Sequence, residues 1–335
     1  MHTHVPNSQT VECSVVIPVY NEETNIRLLI PQLKAVLDRL GKSYEILFVD
    51  DGSSDSTGAI ITEAAQHYPE VKLITLRRNF GQTAAMSAGF DAAVGDVIIP
   101  MDGDLQNDPE DIPKLLEKIA EGYDVVSGWR VNRQDKFLTR RLPSLLANKL
   151  ISLTTNVHLH DYGCTLKAYR REVVQGIELY GEMHRFIPAL ASWMGVKVTE
   201  MPVNHHARQH GKSKYGISRT IRVILDLITV KFLLSYSTKP IQIFGLLGLI
   251  SVFASFGLFI GVAYARIRHD FLLANNSIFL LAVLFLMLGF QFIAMGLLGE
   301  VIVRTYHESQ NKPTYVIANT INLRPGYCPG GPKMV

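Results

Sequence analysis

Two stretches near the C-terminus constrain this chain more than any other feature. Ile241 to Ala265 and Ser277 to Gly299 run 25 and 23 residues without one Asp, Glu, Lys, Arg or His. About 20 apolar residues cross the hydrocarbon core of a bilayer, and core helices of soluble proteins rarely run so far without a charge. The short segment RIRHDFLLANN separates them. The pattern predicts a transmembrane hairpin over 239–302, which returns its two flanks to one side. The polar start MHTHVPNSQTVE lacks the pattern of a signal peptide, so both flanks are expected in the cytoplasm. Lys239, Arg304 and Lys312 agree with the positive-inside rule, whereas Arg266 and Arg268 do not. Upstream, Ile221, Ile224, Leu225 and Ile228 recur at helical spacing, with Arg219, Arg222 and Lys231 elsewhere on the wheel. This predicts an amphipathic helix over 216–238, lying in the membrane interface. Residues 303–335 are expected to form a C-terminal cytoplasmic tail.

The remaining region, 1–215, alternates short β-rich runs with helical stretches. CSVVIPVY, YEILFVDD, VKLITLRR, DVIIPMD and YDVVSGW read as five strands. Near-continuous apolar strands with helical crossovers predict an α/β class: a mostly parallel sheet with helices on both faces. Each strand ends in a polar cluster: PVYNEE, DDGSSDST, RRNFGQ, DGDLQ and GWRVNR. One such cluster is ordinary turn chemistry. Five at the carboxyl ends of strands describe a ligand site. The three cysteines, Cys13, Cys164 and Cys328, are odd in number and far apart, which argues against a disulfide framework or a zinc site. A net charge of +3 does not argue for nucleic acid as a partner.

The chain has no G-x-G-x-x-G and no G-x-x-x-x-G-K-[ST], so a glycine-rich phosphate cradle is not signalled. A metal would have to do that work. Asp102 and Asp104 stand two apart after the fourth strand, and residues i and i+2 of extended chain point the same way. Two hard oxygen donors suit Mg²⁺ or Mn²⁺, with phosphate oxygens and water completing the coordination. Asp50, still in strand register, reads as a ligand contact rather than a cap. Asp51 divides evenly between contact and turn.

Taken in order, SVVIPVYNEE, EILFVDDGSSDST, RNFGQTAAMSAGF, MDGDLQNDPEDIP, DVVSGWR, DYGCTLKAYRREVV and RQHGKSKYG resemble the motifs of the polyprenyl-phosphate glycosyltransferases. These are inverting members of glycosyltransferase family 2 with a GT-A fold. The hairpin and its GLLGE ending resemble the bacterial branch, which includes undecaprenyl-phosphate glucosyltransferases and 4-deoxy-4-formamidoarabinose transferases. The resemblance spans about residues 12 to 315. It implies transfer of a sugar from a nucleotide sugar, UDP rather than GDP, to membrane polyprenyl phosphate at the bacterial inner membrane. It also implies a tetramer. Pro18, Tyr20, Glu22, Asp50, Asp51 and Gly81 are carried over on the nucleotide side, together with Asp102. Asp102, Asp104 and Gln106 match the metal and diphosphate motif, with Gly103 where the family usually has Ala. Asp161, in DYGC, is the candidate general base, or else orients the sugar or an arginine; Asp104 is the other catalytic candidate.

An anionic acceptor arriving from lipid needs cations near the interface. Arg130, Arg140, Arg141, Arg208, Lys212 and Lys214 supply them, with Arg130 and Arg208 favoured because a guanidinium binds phosphate as a fork. Ser213 and Tyr215 accompany them, and His205, His206 and His210 read as structural or phosphate-adjacent. Two alternatives stand beside this reading. A processive polysaccharide synthase would carry Q-x-x-R-W and more spans. A non-catalytic membrane scaffold would keep the fold to bind nucleotide.

Overall fold

The computed structural model describes residues 11–131, 157, 159–177, 184, 187–192, 194–206, 241–269, 277–309 and 315–323. The chain divides into two compact units, Met1–Val230 with Lys312–Val335, and Lys231–Asn311.

The first unit is built on one eight-stranded sheet. In chain order its elements are β1 (Cys13–Val19), α1 (Glu23–Arg39), β2 (Tyr44–Asp50), α2 (Thr57–His67), β3 (Val71–Leu76), α3 (Gln82–Ala92), β4 (Val97–Pro100), a short 3₁₀ turn (Pro109–Asp111) leading into α4 (Ile112–Ala120), and β5 (Val125–Trp129). Then come β6 (Lys167–Arg170), α5 (Arg171–Gln175), α6 (Ile187–Ser192), β7 (Val198–Pro202) and β8 (Ile317–Ile321). The strand order is β7-β5-β6-β4-β1-β2-β3-β8. Strands β4, β1, β2 and β3 are parallel neighbours. Their side chains are apolar on both faces because helices cover both. Val15, Ile17, Ile46, Phe48 and Ile99 pack with Ile26, Leu29 and Leu33 of α1 in one core, while Gly89 of α3 lies so close to Val16 that a Cβ there would meet its side chain at 2.3 Å.

The sheet departs from a simple parallel array in two places. Strand β6 inserts between β4 and β5 and runs antiparallel to both. Strand β5 therefore still points the same way as β4, and all five polar clusters lie at one edge. The second departure is β8. Residues 317–321, inside the segment read as a tail, form an antiparallel edge strand on β3. Asn322 Nδ2 reinforces it by donating to the carbonyls of Ala65 and Val71 at 2.7 and 3.0 Å.

Among the described residues the second unit holds two long helices, α7 (Ile241–His269) and α8 (Ser277–Ser309). Both are long and apolar enough to cross a membrane. They cross where glycines face each other: a Cβ on Gly248 would lie 2.8 Å from the Gly289 carbonyl oxygen, and one on Gly289 2.9 Å from that of Gly248. Ser255 Oγ donates to the Ala282 carbonyl at 2.7 Å, satisfying a hydroxyl that lipid would not. Large apolar side chains such as Phe253, Ile260, Met287 and Phe290 face outward, as a lipid-facing surface requires. The predicted interfacial helix over 216–238 and the loop at 270–276 lie outside the described residues.

Candidate active site

The order of the parallel strands locates the site. From β1 the chain steps to β2 and β3 on one side, and returns to β4 on the other. The crevice beyond β1 and β4 is therefore the topological switch point, where open α/β sheets bind ligands. Two prolines open it. β1 pairs with β4 only as far as Val16 opposite Pro100, after which Met101 donates to the Val16 carbonyl. In a parallel ladder alternate residues face alternate neighbours, so Pro18 would have faced β4. It lacks a donor where β4 has already turned away.

At the β1 side, Asn21 adopts φ +53, a left-handed conformation that asparagine tolerates. This turns the chain so that the Asn21 N–H donates to Ser53 Oγ at 2.9 Å while its Oδ1 accepts the Ser54 N–H at 2.8 Å. The Glu22 N–H donates to Thr57 Oγ1 at 2.9 Å, and Asn25 Nδ2 to Glu22 Oε2 at 2.6 Å. PVYNEE and DDGSSDST are thereby laced into one wall carrying Pro18, Tyr20 and Glu22. Asp50 is buried, and its Oδ1 accepts the Ser53 N–H at 2.9 Å. Asp51 is committed to the neighbouring loop: its two oxygens accept the N–H groups of Phe80 and Gly81 at 2.7 and 2.9 Å. Burial raises its pKa against the pull of those two bonds. Gly81, at φ +97, shapes that loop. Gly52 allows the loop to lie against it, since a Cβ there would meet the Arg78 and Asn79 backbone at 2.6 to 2.9 Å.

At the β4 side the chain bends rather than continuing extended, contrary to the simple i, i+2 expectation. Leu105 sits at φ +62, a conformation costing a bulky residue about 1–3 kcal/mol. Asp104 Oδ1 accepts the Gln106 N–H at 3.2 Å across this turn. Asp102 and Asp104 nonetheless act on each other. Burial, then the Asp104 charge, push the Asp102 carboxyl up to about 6, against the Thr165 hydroxyl, Arg130 and Lys167. Gly103 is more than a neutral replacement for Ala: a Cβ there would lie 2.9 Å from Val19 Cγ1. Gln106 Nε2 donates to the His206 carbonyl at 3.4 Å, and the His206 N–H returns to the Gln106 carbonyl at 2.9 Å. With the Asn107–His205 bridge, His205 and His206 tie the start of the basic segment to the acidic motif.

Arg130 follows β5 and is gripped by Asp161 in a fork, Nε to Oδ2 at 2.6 Å and Nη2 to Oδ1 at 3.0 Å. Both side chains are largely buried. Gly163 donates its N–H to Asp161 Oδ1 at 3.0 Å, and a Cβ there would sit 3.2 Å from Arg130 Nη2. The DYGC motif thus wraps a guanidinium. Both Asp161 oxygens engage Arg130, the contact that its arginine-orienting role requires. Lys167, buried on β6, donates to the carbonyls of Tyr162 and Cys164 and fixes the motif from below. Sequence reasoning missed three residues: Lys167, Thr165, and Gln82, whose Nε2 donates to Asp102 Oδ1 at 2.9 Å. Trp129 stacks on His160 beside them, with ring centroids 4.3 Å apart. Arg140, Arg141, Arg208, His210, Lys212, Ser213, Lys214 and Tyr215 lie outside the described residues.

Among the described residues no three His, Cys, Asp or Glu side chains converge as a metal group. The chain offers two carboxylates and the Gln106 amide oxygen. That donor set fits Mg²⁺ or Mn²⁺, which take few protein ligands and complete their shell with water and substrate phosphate.

Residues 14–177 match the family described as Glycosyl transferase family 2. The dodecaprenyl-phosphate galacturonate synthase of Rhizobium johnstonii is 41% identical over 321 residues, 92% of this chain and 93% of that protein. The undecaprenyl-phosphate 4-deoxy-4-formamido-L-arabinose transferase of an Enterobacter species is 42% identical over 311 residues, again 92% and 93%. The fold resembles glucosyl-3-phosphoglycerate synthase of Mycobacterium tuberculosis, crystallised with Mn²⁺, UDP-glucose and phosphoglyceric acid. The TM-score is 0.52 at 18% identity, over 66% of this chain and 80% of that one. With its strand order, its acidic motif and these relatives along nearly its whole length, the chain belongs to the polyprenyl-phosphate glycosyltransferases of glycosyl transferase family 2.

Proposed function

We propose that the chain transfers a sugar, with inversion, from a UDP-sugar to the phosphate of a membrane polyprenol. The observation that carries this reading is the half-buried Asp102 beside buried Asp104 at the switch point, near an arginine paired with Asp161. A phosphate oxygen of the acceptor attacks C1 of the sugar. The bond from C1 to the nucleoside diphosphate breaks, and its electron pair leaves on the β-phosphate oxygen. The acceptor is already an anion near neutral pH, so positioning and charge neutralisation supply most of the rate. Asp102, Asp104 and Gln106 would hold a divalent cation, which when bound neutralises charge on the departing diphosphate. The wall carrying Pro18, Tyr20, Glu22 and Asp50 receives the nucleotide. Arg130 binds acceptor phosphate on its outer side, together with Arg140, Arg208, Ser213 and Lys214. The catalytic unit faces the cytoplasm of a bacterial inner membrane, and the enzyme works as a tetramer.

The relatives' sugars, a galacturonate and a formamido-arabinose, support an envelope sugar other than glucose. Detergent-solubilised protein is incubated with undecaprenyl phosphate and a panel of UDP- and GDP-sugars that includes those two and glucose. The expected result is one polyprenyl-monophosphate sugar, identified by mass, formed only with Mg²⁺ or Mn²⁺ present. Nucleotide binding without any lipid product would favour the scaffold alternative. A growing glycan chain would favour a processive synthase.

A further inference from the structure

We propose that Gln82 is a positioning residue that orients the Asp102 carboxylate for the cation. The inference rests on the proposed cation reading of Asp102 and Asp104, and gives a role to a residue that lay within the RNFGQ motif without one. Gln82 is the first residue of α3, where a glutamine ordinarily reaches into solvent. Its side chain instead donates from Nε2 to Asp102 Oδ1 at 2.9 Å.

The backbone that carries it is fixed from two directions. Asp51 accepts both N–H groups just before it, from Phe80 and Gly81. Gly52 admits the Arg78–Asn79 backbone to a distance that no side chain would allow. Gln82 therefore has a rigid base and a defined target. The Thr165 hydroxyl also donates to Asp102. Both donors are neutral: they orient the carboxylate and leave its charge standing. Outer partners of this kind typically change metal affinity about 10–100-fold. The same loop links the nucleotide wall, through Asp51, to the acidic motif, through Gln82.

The test uses the full chain in detergent. Mn²⁺ binding is followed by the electron paramagnetic resonance signal of the free ion at saturating UDP. UDP binding without metal is measured by calorimetry in EDTA. Gln82→Ala removes the donor, and Gln82→Met removes it while keeping nearly the same shape. Both are expected to weaken Mn²⁺ binding about 10–100-fold with metal-free UDP binding unchanged. Wild-type Mn²⁺ affinity in both variants overturns the proposal. So does equal loss of metal-free UDP binding, which would make Gln82 part of the general scaffold. Asp102→Ala, run in parallel, separates the two levels. If it too leaves Mn²⁺ binding intact, the cation reading itself has failed; if it alone abolishes binding, only the role of Gln82 has.

Discussion

The two ends of the same sheet bury carboxylates in opposite ways. At the amino end of β2, Glu45 is 1% exposed and fully matched. Lys72 is paired with its Oε2, Ser14 donates to Oε1, and the Val94 N–H donates to Oε1 at 2.8 Å. Ser14 Oγ in turn accepts the Gly95 N–H at 2.8 Å. At the carboxyl end, half-buried Asp102 is held by the neutral groups of Gln82 and Thr165 and neighbours a second carboxylate, while the charges of Arg130, already paired with Asp161, and Lys167 offset that repulsion only in part. A buried charge met by its counter-charge is a fastener. A charge oriented but only partly offset is a seat for a ligand.

The largest expected effect tests that distinction directly. Asp102→Ala should lower lipid-product formation by at least about 10²–10³-fold, the loss typical when one charge-stabilising group is removed. The metal-free protein should melt no lower than wild type, since the substitution relieves like-charge repulsion with Asp104. A clear drop in melting temperature in EDTA would make Asp102 a fastener as well, and the comparison would collapse.

Glu45→Ala should do the reverse. It strands Lys72 and the Val94 N–H, and breaking a buried pair costs about 3–5 kcal/mol. Because Lys72 retains some access to solvent, the lower figure is expected, read from urea unfolding. Product formed per folded molecule should be unchanged. Reduced turnover in fully folded Glu45→Ala protein would show that the two ends are coupled.

This division explains what was legible in the sequence. The parallel core and its five polar clusters could be read because each strand is a continuous apolar run and each cluster follows one directly. Strand β6, KAYR, is four residues with a buried lysine and has no strand signature. Strand β8, IANTI, exposes its three central residues and lies beyond the apolar helices, so nothing local tied it to β3. Asp102 and Asp104 were visible as a pattern, whereas their bend depends on Leu105 at positive φ, which spacing does not reveal. Gln82 stood in a visible motif, RRNFGQ, but its role depends on a contact 20 positions away. The fork between Arg130 and Asp161, 31 positions apart, was out of reach for the same reason.

That fork combines the two behaviours and sharpens the comparison: a matched buried carboxylate at the active end. Asp161→Asn keeps one oxygen to accept from Arg130 but loses the charge. A positioning role predicts a loss of turnover of about tenfold, since charge-assisted bonds are roughly twice as strong as neutral ones, with the pH–rate profile unchanged in shape. A loss beyond about 10²-fold, with one limb of that profile gone, would instead identify Asp161 as the general base.

The smallest effect is local, and Cys13 reports it. Its thiol is buried at the start of β1, next to Ser14, and burial followed by the nearby Glu12 carboxylate pushes its pKa up to about 12. Only the thiolate alkylates. The thiol is therefore protonated throughout the range below that value, and at pH 8 only about one molecule in 10⁴ carries the reactive form while folded. Iodoacetamide should leave Cys13 unmodified in wild type and in Asp102→Ala, as judged by peptide mass. Raising the pH to 9 should increase the slow background about tenfold, the slope of a group still far below its pKa. In Glu45→Ala the amino-end network is broken, so local opening of β1 should raise Cys13 labelling while Cys164, buried near the other end, stays protected. Equal labelling of both cysteines in that variant would mean that the sheet opens as one unit. The contrast between its two ends would then describe where charge sits, and not where the fold is fastened.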